Sequence, residues 1–143
     1  MTIQQISVFV ENKPGRMAQI TAVLAAAGID IRALSLADTN DFGILRMIVD
    51  KPKQAVECLK KANIAATLTD VIGLGITDKP GEFSKALEKL GAAGIDVEYM
   101  YAFIGREAGK AFVILRVNEV EQSLEVLKAG GVTILDAKEV QGM

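Results

Sequence analysis

The sequence predicts an α+β fold made of two ferredoxin-like repeats, each with the element order βαββαβ. The turn Asn12-Lys13-Pro14-Gly15 returns as Asp78-Lys79-Pro80-Gly81 at a spacing of 66 residues (78 − 12), and each copy lies between a strand-like run and a helix-like run. Nine of the 19 positions from residue 12 to residue 30 match at that spacing: Lys13, Pro14, Gly15, Leu24, Ala26, Ala27, Gly28, Ile29 and Asp30. A tandem duplication is therefore predicted.

Each element of the first repeat follows from local patterning. After an apolar first strand and the turn, Ile20, Val23 and Leu24 recur at helical spacing until Gly28 ends the helix. Pro52 favours the start of a second helix, and Asn63 suits its end. The predicted strands are residues 6–10, 29–37, 42–49 and 64–68, with a polar hairpin turn at 38–41.

The second repeat follows the same order. Its predicted strands are residues 71–77, 95–104, 111–117 and 132–140, with helices that end at Gly94 and at Gly130-Gly131. Gln54 aligns with Gln122 at an offset of 68 (122 − 54), so the hairpin turn at 105–110 is longer by two residues. We expect domains at 1–69 and 70–143, each an antiparallel four-stranded sheet with two helices on one face.

The sheet face away from the helices is predicted to be apolar. Ile31, Ala33, Ser35 and Ala37 share one parity of the second strand, and Val97, Tyr99, Tyr101 and Phe103 occupy the equivalent positions. Small residues of one repeat thus correspond to large residues of the other. An exposed apolar face of this size marks an interaction site. The residues predict either packing against another copy or another sheet, or an ordinary core within each repeat.

Composition excludes several classes of function. The chain has no histidine and one cysteine, Cys58, so a zinc site or a Ser-His or Cys-His nucleophile pair is not expected. We predict no metal, no cofactor and no catalytic residue. The charge of −2 argues against nucleic acid and anionic membrane as partners. No apolar run reaches the roughly 20 residues of a membrane span and no signal peptide is visible, so a cytoplasmic protein is expected.

The Pro-Gly turns suit a small anion. A helix that begins after such a turn directs free backbone N–H groups outward at the positive end of its dipole, where a carboxylate or phosphate binds well. Asp30 and Asp96, at the entry of the next strand, would accept a ligand ammonium if that strand end lies beside the turn. On spacing alone, an ordinary type II turn with a polar strand entry is the favoured interpretation of these residues.

The stretch Val10-Glu11-Asn12-Lys13-Pro14-Gly15, with Ala27-Gly28-Ile29-Asp30-Ile31 after the helix, resembles the ACT domain. The second copy, with Ala93-Gly94-Ile95-Asp96-Val97, resembles it equally. The resemblance covers essentially the whole chain and implies a regulatory tandem ACT protein that binds amino acids at the turn and at domain interfaces. The implied ligand-binding residues are Asn12, Lys13, Pro14, Gly15, Arg16, Met17, Ile29, Asp30, Ile31, Asp78, Lys79, Pro80, Gly81, Phe83, Ile95, Asp96 and Val97.

The two turns differ in charge, which favours the first as the binding site. Asn12 and Arg16 of the first copy correspond to Asp78 and Glu82 of the second, and a second-copy carboxylate would repel a ligand carboxylate. The family often has Asn in place of Asp30.

An amino-acid sensor, forming a homodimer and acting on a metabolic enzyme or another regulator, is the leading interpretation. The alternative is a regulatory subunit of an amino-acid biosynthetic enzyme, since the first half also resembles the acetolactate synthase small subunit. An enzyme is not expected.

Overall fold

The protein is described from a computed structural model, which covers residues 1–38, 41–103 and 108–142. The chain forms two compact units, one of residues 4–69 and one of residues 1–3 with 70–141. Both units have the ferredoxin-like arrangement that the sequence predicts, with helices packed on one face of an antiparallel sheet. Among the described residues, no helix is long and apolar enough to cross a membrane.

The first unit contains one copy of the predicted order. Its elements are β1 (Ile3–Glu11), α1 (Arg16–Ala26), β2 (Ile31–Asp38), β3 (Phe42–Val49), α2 (Pro52–Lys61) and the beginning of β4 (Ala66–Thr77). The strand order is β2-β3-β1-β4. Both β1 and β2 pair with β3 in antiparallel register, so β1 and β2 run parallel to each other. The end of β1 therefore lies at the same end of the sheet as the end of β2.

The core of the first unit lies between the helices and one sheet face. Ile20 and Leu24 of α1 pack there against Val8 of β1 and Leu45 of β3. Helix α1 ends because Gly28 adopts φ +69, which lets the Ile29 N–H donate to the Leu24 carbonyl at 3.0 Å. The remaining buried members are Ile6, Val10, Ile29, Met47, Val49, Ala55 and Leu59.

The second unit repeats this plan and adds a helix. Its further elements are α3 (Glu82–Ala92), β5 (Val97–Phe103), β6 (Lys110–Val117), α4 (Val120–Ala129), β7 (Thr133–Leu135) and α5 (Ala137–Gln141). Strands β7, β4, β6 and β5 lie side by side in that order. The core again lies under the helices, where Ala86 and Leu90 of α3 meet Leu74 and Leu115 of the sheet.

Three predicted strands differ from the structure. The strands at 64–68 and 71–77 are one continuous strand, β4, because nothing in Thr69-Asp70 breaks the extended backbone. The strand at 132–140 ends at Leu135, and α5 follows. Asp136 causes this change, since its carboxylate accepts the Glu139 N–H at 2.8 Å and so caps the first turn of α5. Parts of both predicted hairpin turns, at 39–40 and 105–107, lie outside the described residues, as does the last residue of the predicted strand at 95–104.

A register shift changes the predicted composition of the open sheet faces. The pairing of β2 with β3 shifts between Ile31 and Ala33, and that of β5 with β6 shifts between Val97 and Tyr99. A bulge of this kind moves the residue before it to the other face. Ile31 and Val97 consequently pack on the helix side, against the two cores.

The rest of the predicted open-face set follows the expected parity. Tyr99, Tyr101 and Phe103 are half-buried, and Phe103 stacks on Phe112 with 5.4 Å between ring centroids. Packing of the open faces against another copy or another sheet stays a prediction.

Candidate functional site

The first Pro-Gly segment forms a type II turn. Gly15 has φ 87° and ψ −10°, the values of the third residue of that turn, and the Arg16 N–H donates to the Lys13 carbonyl at 3.3 Å. Pro14 supplies the fixed φ of the second residue. The first helical bond follows immediately, from the Gln19 N–H to the Gly15 carbonyl at 3.0 Å. This geometry starts α1 abruptly, with its first peptide groups facing away from the helix.

The N-terminus of α1 keeps donors for a ligand. No side chain among the described residues caps α1 with a hydrogen bond. The backbone N–H of Arg16 donates within the turn, and that of Gln19 donates within the helix. The backbone N–H groups of Met17 and Ala18 have no backbone acceptor among the described residues. Free N–H groups at the positive end of a helix dipole bind carboxylates.

Glu11 holds the two basic side chains of the turn. Its carboxylate lies 3.1 Å from Lys13 Nζ and 3.7 Å from the Arg16 guanidinium. The hydrogen bond from Lys13, with the charges of Lys13 and then Arg16, holds the pKa of Glu11 below its ordinary value. Arg16 also donates to Gln19 Oε1 at 3.0 Å. Arg16 is thereby directed along α1, into a different pocket from the one that Asn12 lines.

A pocket of about 250 Å³ adjoins the turn. The turn contributes Asn12 and Lys13, α1 contributes Met17, and the end of β2 contributes Leu36 and Asp38. Val10, Glu11 and Gly43 complete the lining. The pocket therefore combines an apolar side, two carboxylates, an ammonium group and an amide.

Gly43 on β3 helps to keep the pocket open. A Cβ at Gly43 would lie 2.9 Å from Leu36 Cδ1, so a side chain at this position would displace Leu36. Leu36, Asp38 and Gly43 are not among the site residues predicted from the sequence. Leu36 and Asp38 could have been predicted from the right-handed strand-helix-strand connection. That connection makes β1 and β2 parallel, so the two strands end at the same edge of the sheet.

The expectation that Asp30 lies beside the turn within one chain is wrong. Glu11 is paired with Phe42 of β3 and Ile31 with Val49, which is seven residues further along β3 (49 − 42). At about 3.4 Å per residue the two sites are about 24 Å apart. The expectation assumes that β1 and β2 are antiparallel, whereas they run parallel, so the end of β1 and the start of β2 lie at opposite ends of the sheet.

The backbone of Asp30 instead closes the far end of the sheet. Its N–H donates to Asp50 Oδ1 at 2.9 Å, its carbonyl accepts the Asp50 N–H at 3.1 Å, and its carboxylate pairs with Arg32 at 2.9 Å. The backbone of Asp96 makes the corresponding two bonds with Asn118: its N–H donates to Asn118 Oδ1 at 3.1 Å, and its carbonyl accepts the Asn118 N–H at 3.3 Å. Ile29 and Ile95 are buried core residues.

The second turn has the same backbone and different chemistry. Gly81 has φ 88° and ψ −14°, and the Glu82 N–H donates to the Lys79 carbonyl at 3.3 Å, as in the first copy. Glu82 places a carboxylate in the first turn of α3. This carboxylate pairs with Lys85 at 3.0 Å. Asp78, Lys79 and Pro80 are exposed, and Phe83 packs against the core of the second unit. The turn is thus preserved while its charge is reversed.

Metal binding has no support in the described part of the chain, where no group of three or more His, Cys, Asp and Glu residues could hold an ion.

Comparisons with known proteins identify the family. A family model described as an ACT domain pair matches residues 1–143. A protein of known crystal structure from Bacteroides thetaiotaomicron is 39% identical, with a TM-score of 0.94 over 100% of this chain and 98% of that chain. The regulatory subunit of aspartate kinase from Thermus thermophilus, in its ligand-free form, is 20% identical with a TM-score of 0.64 over 89% and 91% of the two chains, and so shares the fold.

A search of curated proteins gave no match. The family model nevertheless spans the whole chain, and both Pro-Gly turns have the same type II geometry. The chain belongs to the family of ACT domain pairs.

Proposed function

We propose that the chain is a regulatory amino-acid sensor whose ligand binds in the pocket at the first Pro-Gly turn. The observation that carries the proposal is the combination of uncapped N–H groups at the start of α1 with the Asp38 carboxylate across the same pocket. The N–H groups suit a ligand carboxylate, and Asp38 suits its ammonium group. Met17 and Leu36 would contact an apolar ligand side chain.

The size of the pocket supports a small ligand. Its volume of about 250 Å³ is below the range of about 300–1,000 Å³ that is usual for drug-sized ligands. The second turn is a poorer site for a carboxylate, because Glu82 adds a negative charge in the first turn of α3 and Asp78 occupies the position of Asn12. We therefore assign the main site to the first turn.

We further propose that a second copy of the chain completes this site across β2. Strand β2 is at the edge of the sheet, and Leu34 and Leu36 on its helix side are 52% and 53% exposed. The segment at 33–37 carries no charge and no proline to discourage pairing with another strand. An edge strand of this kind is a natural place for a partner strand.

The sequence of β2 is suited to pairing with itself. It reads Arg-Ala-Leu-Ser-Leu-Ala-Asp from residue 32 to residue 38, which is symmetric about Ser35 apart from its charged ends. Antiparallel pairing centred on Ser35 would place Leu36 opposite Leu34 of the second copy and Asp38 opposite its Arg32. Apolar and opposite-charge pairs of this kind stabilise a sheet by about 0.2–1 kcal/mol each, and such an interface is two-fold symmetric.

This pairing would also reunite the two halves of the family motif. The end of β2 beside the pocket would face the start of β2 in the second copy. The second copy's Asp30 and Ile31 would then approach the first turn of this chain, although they are about 24 Å from that turn within one chain. The implied role of these residues in ligand binding depends on the dimer.

A thermal-shift panel with the common amino acids tests the proposal. A ligand at 100 times its dissociation constant should stabilise the protein by about 2.7 kcal/mol. We expect Asn12→Ala to remove the shift and Asp78→Ala, the matched change in the second turn, to retain it. If no amino acid raises the melting temperature, the sensor function is wrong. If Asn12→Ala keeps the full shift, the site lies elsewhere.

The dimer has a separate test. Leu36→Lys puts a charge opposite Leu34 at both ends of the apolar centre of the interface and should give monomers in analytical ultracentrifugation, whereas Met100→Lys, on the other edge strand, should leave the dimer intact. A monomeric wild-type chain at micromolar concentration would contradict the proposed pairing.

The alternative of a regulatory subunit of an enzyme such as acetolactate synthase predicts a different result. A pull-down would then recover one enzyme repeatedly while no amino acid binds.

A further inference from the structure

A second pocket, of about 320 Å³, lies on the open sheet face of the second unit, away from both Pro-Gly turns. Its floor is apolar, since Phe112 and Leu135 line it as buried side chains. Strand β4 contributes Gly75 and Thr77, and β7 contributes Thr133. The remaining lining residues are Ile76, Lys110 and Glu139. This pocket is separate from the one at the first turn and has no role in the function proposed above.

Glycine at position 75 opens the pocket. The equivalent residue of the first repeat, at the spacing of 66 (75 − 9), is Phe9, whose side chain is 65% exposed on the same sheet face. A Cβ at Gly75 would meet Leu135 and Thr133 at ordinary distances of 3.5 and 3.6 Å, and the backbone of Gly75 is not in the positive-φ region. The fold therefore does not require glycine here, and a large side chain at this position would occupy the pocket.

The added helix α5 supplies the acidic wall. Glu139 is part of α5, and its own N–H is held by the Asp136 carboxylate at 2.8 Å, while Val140 anchors the helix as a fully buried side chain. Helix α5 is additional to the six elements that the repeat requires. The opposite charge comes from Lys110 at the start of β6, which pairs with Thr77 in the sheet register. The pocket thus has a carboxylate and an ammonium group above an apolar floor.

We propose that this pocket is a second ligand site, which binds a small zwitterion with an apolar group. The ligand carboxylate would contact Lys110, its ammonium group would contact Glu139, and its apolar group would lie over Gly75, in the place that the Phe9 side chain takes in the first repeat. The hydroxyl groups of Thr77 and Thr133 add hydrogen-bonding partners at the rim. A pocket with an apolar floor and a few convergent polar groups is the usual form of a small-molecule site. A bound ligand would also connect α5 to the sheet.

Methyl NMR with L-leucine and L-phenylalanine as probes tests this site in the whole chain. We expect saturable shifts of the Leu135 and Thr133 methyl signals with a dissociation constant of about 1 mM or below. N-acetyl-L-phenylalanine and L-phenylalaninamide, which each lack one charge, should bind at least about tenfold more weakly, a difference of about 1.4 kcal/mol. Slower amide exchange in α5 should accompany binding.

Two variants decide the outcome. Gly75→Phe, which restores the residue type of the first repeat, should abolish the methyl shifts. Glu139→Gln should weaken binding of the zwitterions, while Glu125→Gln, an exposed change on α4, should have no effect. The site is refuted if neither probe shifts these methyl groups up to about tenfold above 1 mM, or if binding persists in Gly75→Phe. If the amide and the N-acetyl derivative bind as tightly as L-phenylalanine itself, the zwitterion assignment is refuted. Asn12→Ala should leave these signals unchanged, so this test is independent of the first-turn site.

Discussion

Replacing Gly15 and Gly81 by alanine, one at a time, separates the structural role of the turns from their binding role. Both glycines are left-handed, with φ 87° and 88°, and apart from their chain neighbours no heavy atom of the described residues lies within 4 Å of the position of an added Cβ. The cost is therefore conformational, and the left-handed penalty for an L-residue is about 1–2 kcal/mol. We expect both variants to lose about that much free energy of unfolding.

The assay is urea unfolding followed by circular dichroism, together with thermal melts. A loss of about 1–2 kcal/mol lowers the melting temperature of a chain of this size by about 2–8 °C. The two variants should lose the same amount, because their turn geometries agree within a few degrees. Ligand-induced stabilisation should fall in Gly15→Ala and stay intact in Gly81→Ala.

Two results would refute this reasoning. A loss below about 0.3 kcal/mol in both variants would mean that the turns tolerate alanine by changing type, since the penalty would then be far below the expected 1–2 kcal/mol. Equal loss of ligand stabilisation in both variants would mean that the first turn is not the preferred site.

Three further predictions concern stability and charge. Leu24→Ala, at a fully buried position of the first core, should destabilise the protein by about 2–5 kcal/mol in urea unfolding. Lys13→Gln should raise the pKa of Glu11 towards its ordinary value in an NMR titration, because Lys13 is the main cause of the lowered pKa. Since the folded pKa is lowered, the stabilisation exists above the unfolded pKa and disappears as the pH falls through the folded pKa, so wild type and variant should converge in stability at the acidic end. Asp136→Ala should cost about 0.5–2 kcal/mol and accelerate amide exchange in α5, and an unchanged exchange rate would show that Asp136 is not the cap.

The repeat explains why much of the fold is predictable. Gly28 and Gly94 each end a helix in the left-handed conformation, and Pro52 begins one, because these residues restrict the backbone locally. Strand β3 has the bounds that its sequence predicts, Phe42–Val49, since a mainly apolar run with turn residues at both sides needs no tertiary information.

Features that depend on tertiary pairing are not predictable in this way. The bulge after Ile31 is defined by its partner strand, so alternation along β2 assigns Ile31 to the wrong face. The end of β7 depends on whether Asp136 caps a helix or continues a strand, and Val140 suits both structures.

The candidate site is predictable only in its local part. The type II turn around Gly15 follows from its own residues, whereas Leu36 and Asp38 enter the pocket through the parallel course of β1 and β2. Asp30 is expected at the same place because the motif links the two segments in sequence. Within one chain they are at opposite ends of the sheet, and the proposed β2 pairing is what would bring them together.

The central claim is that the first Pro-Gly turn binds an amino acid and the second does so poorly or not at all. Amide chemical shifts of the ¹⁵N-labelled chain, recorded with the amino acid that gives the largest thermal shift, test it most directly. We expect saturable changes at Asn12, Met17 and Asp38, with Asp78 and Phe83 nearly unchanged. Equal changes at both turns, or changes at the second turn alone, would contradict the claim.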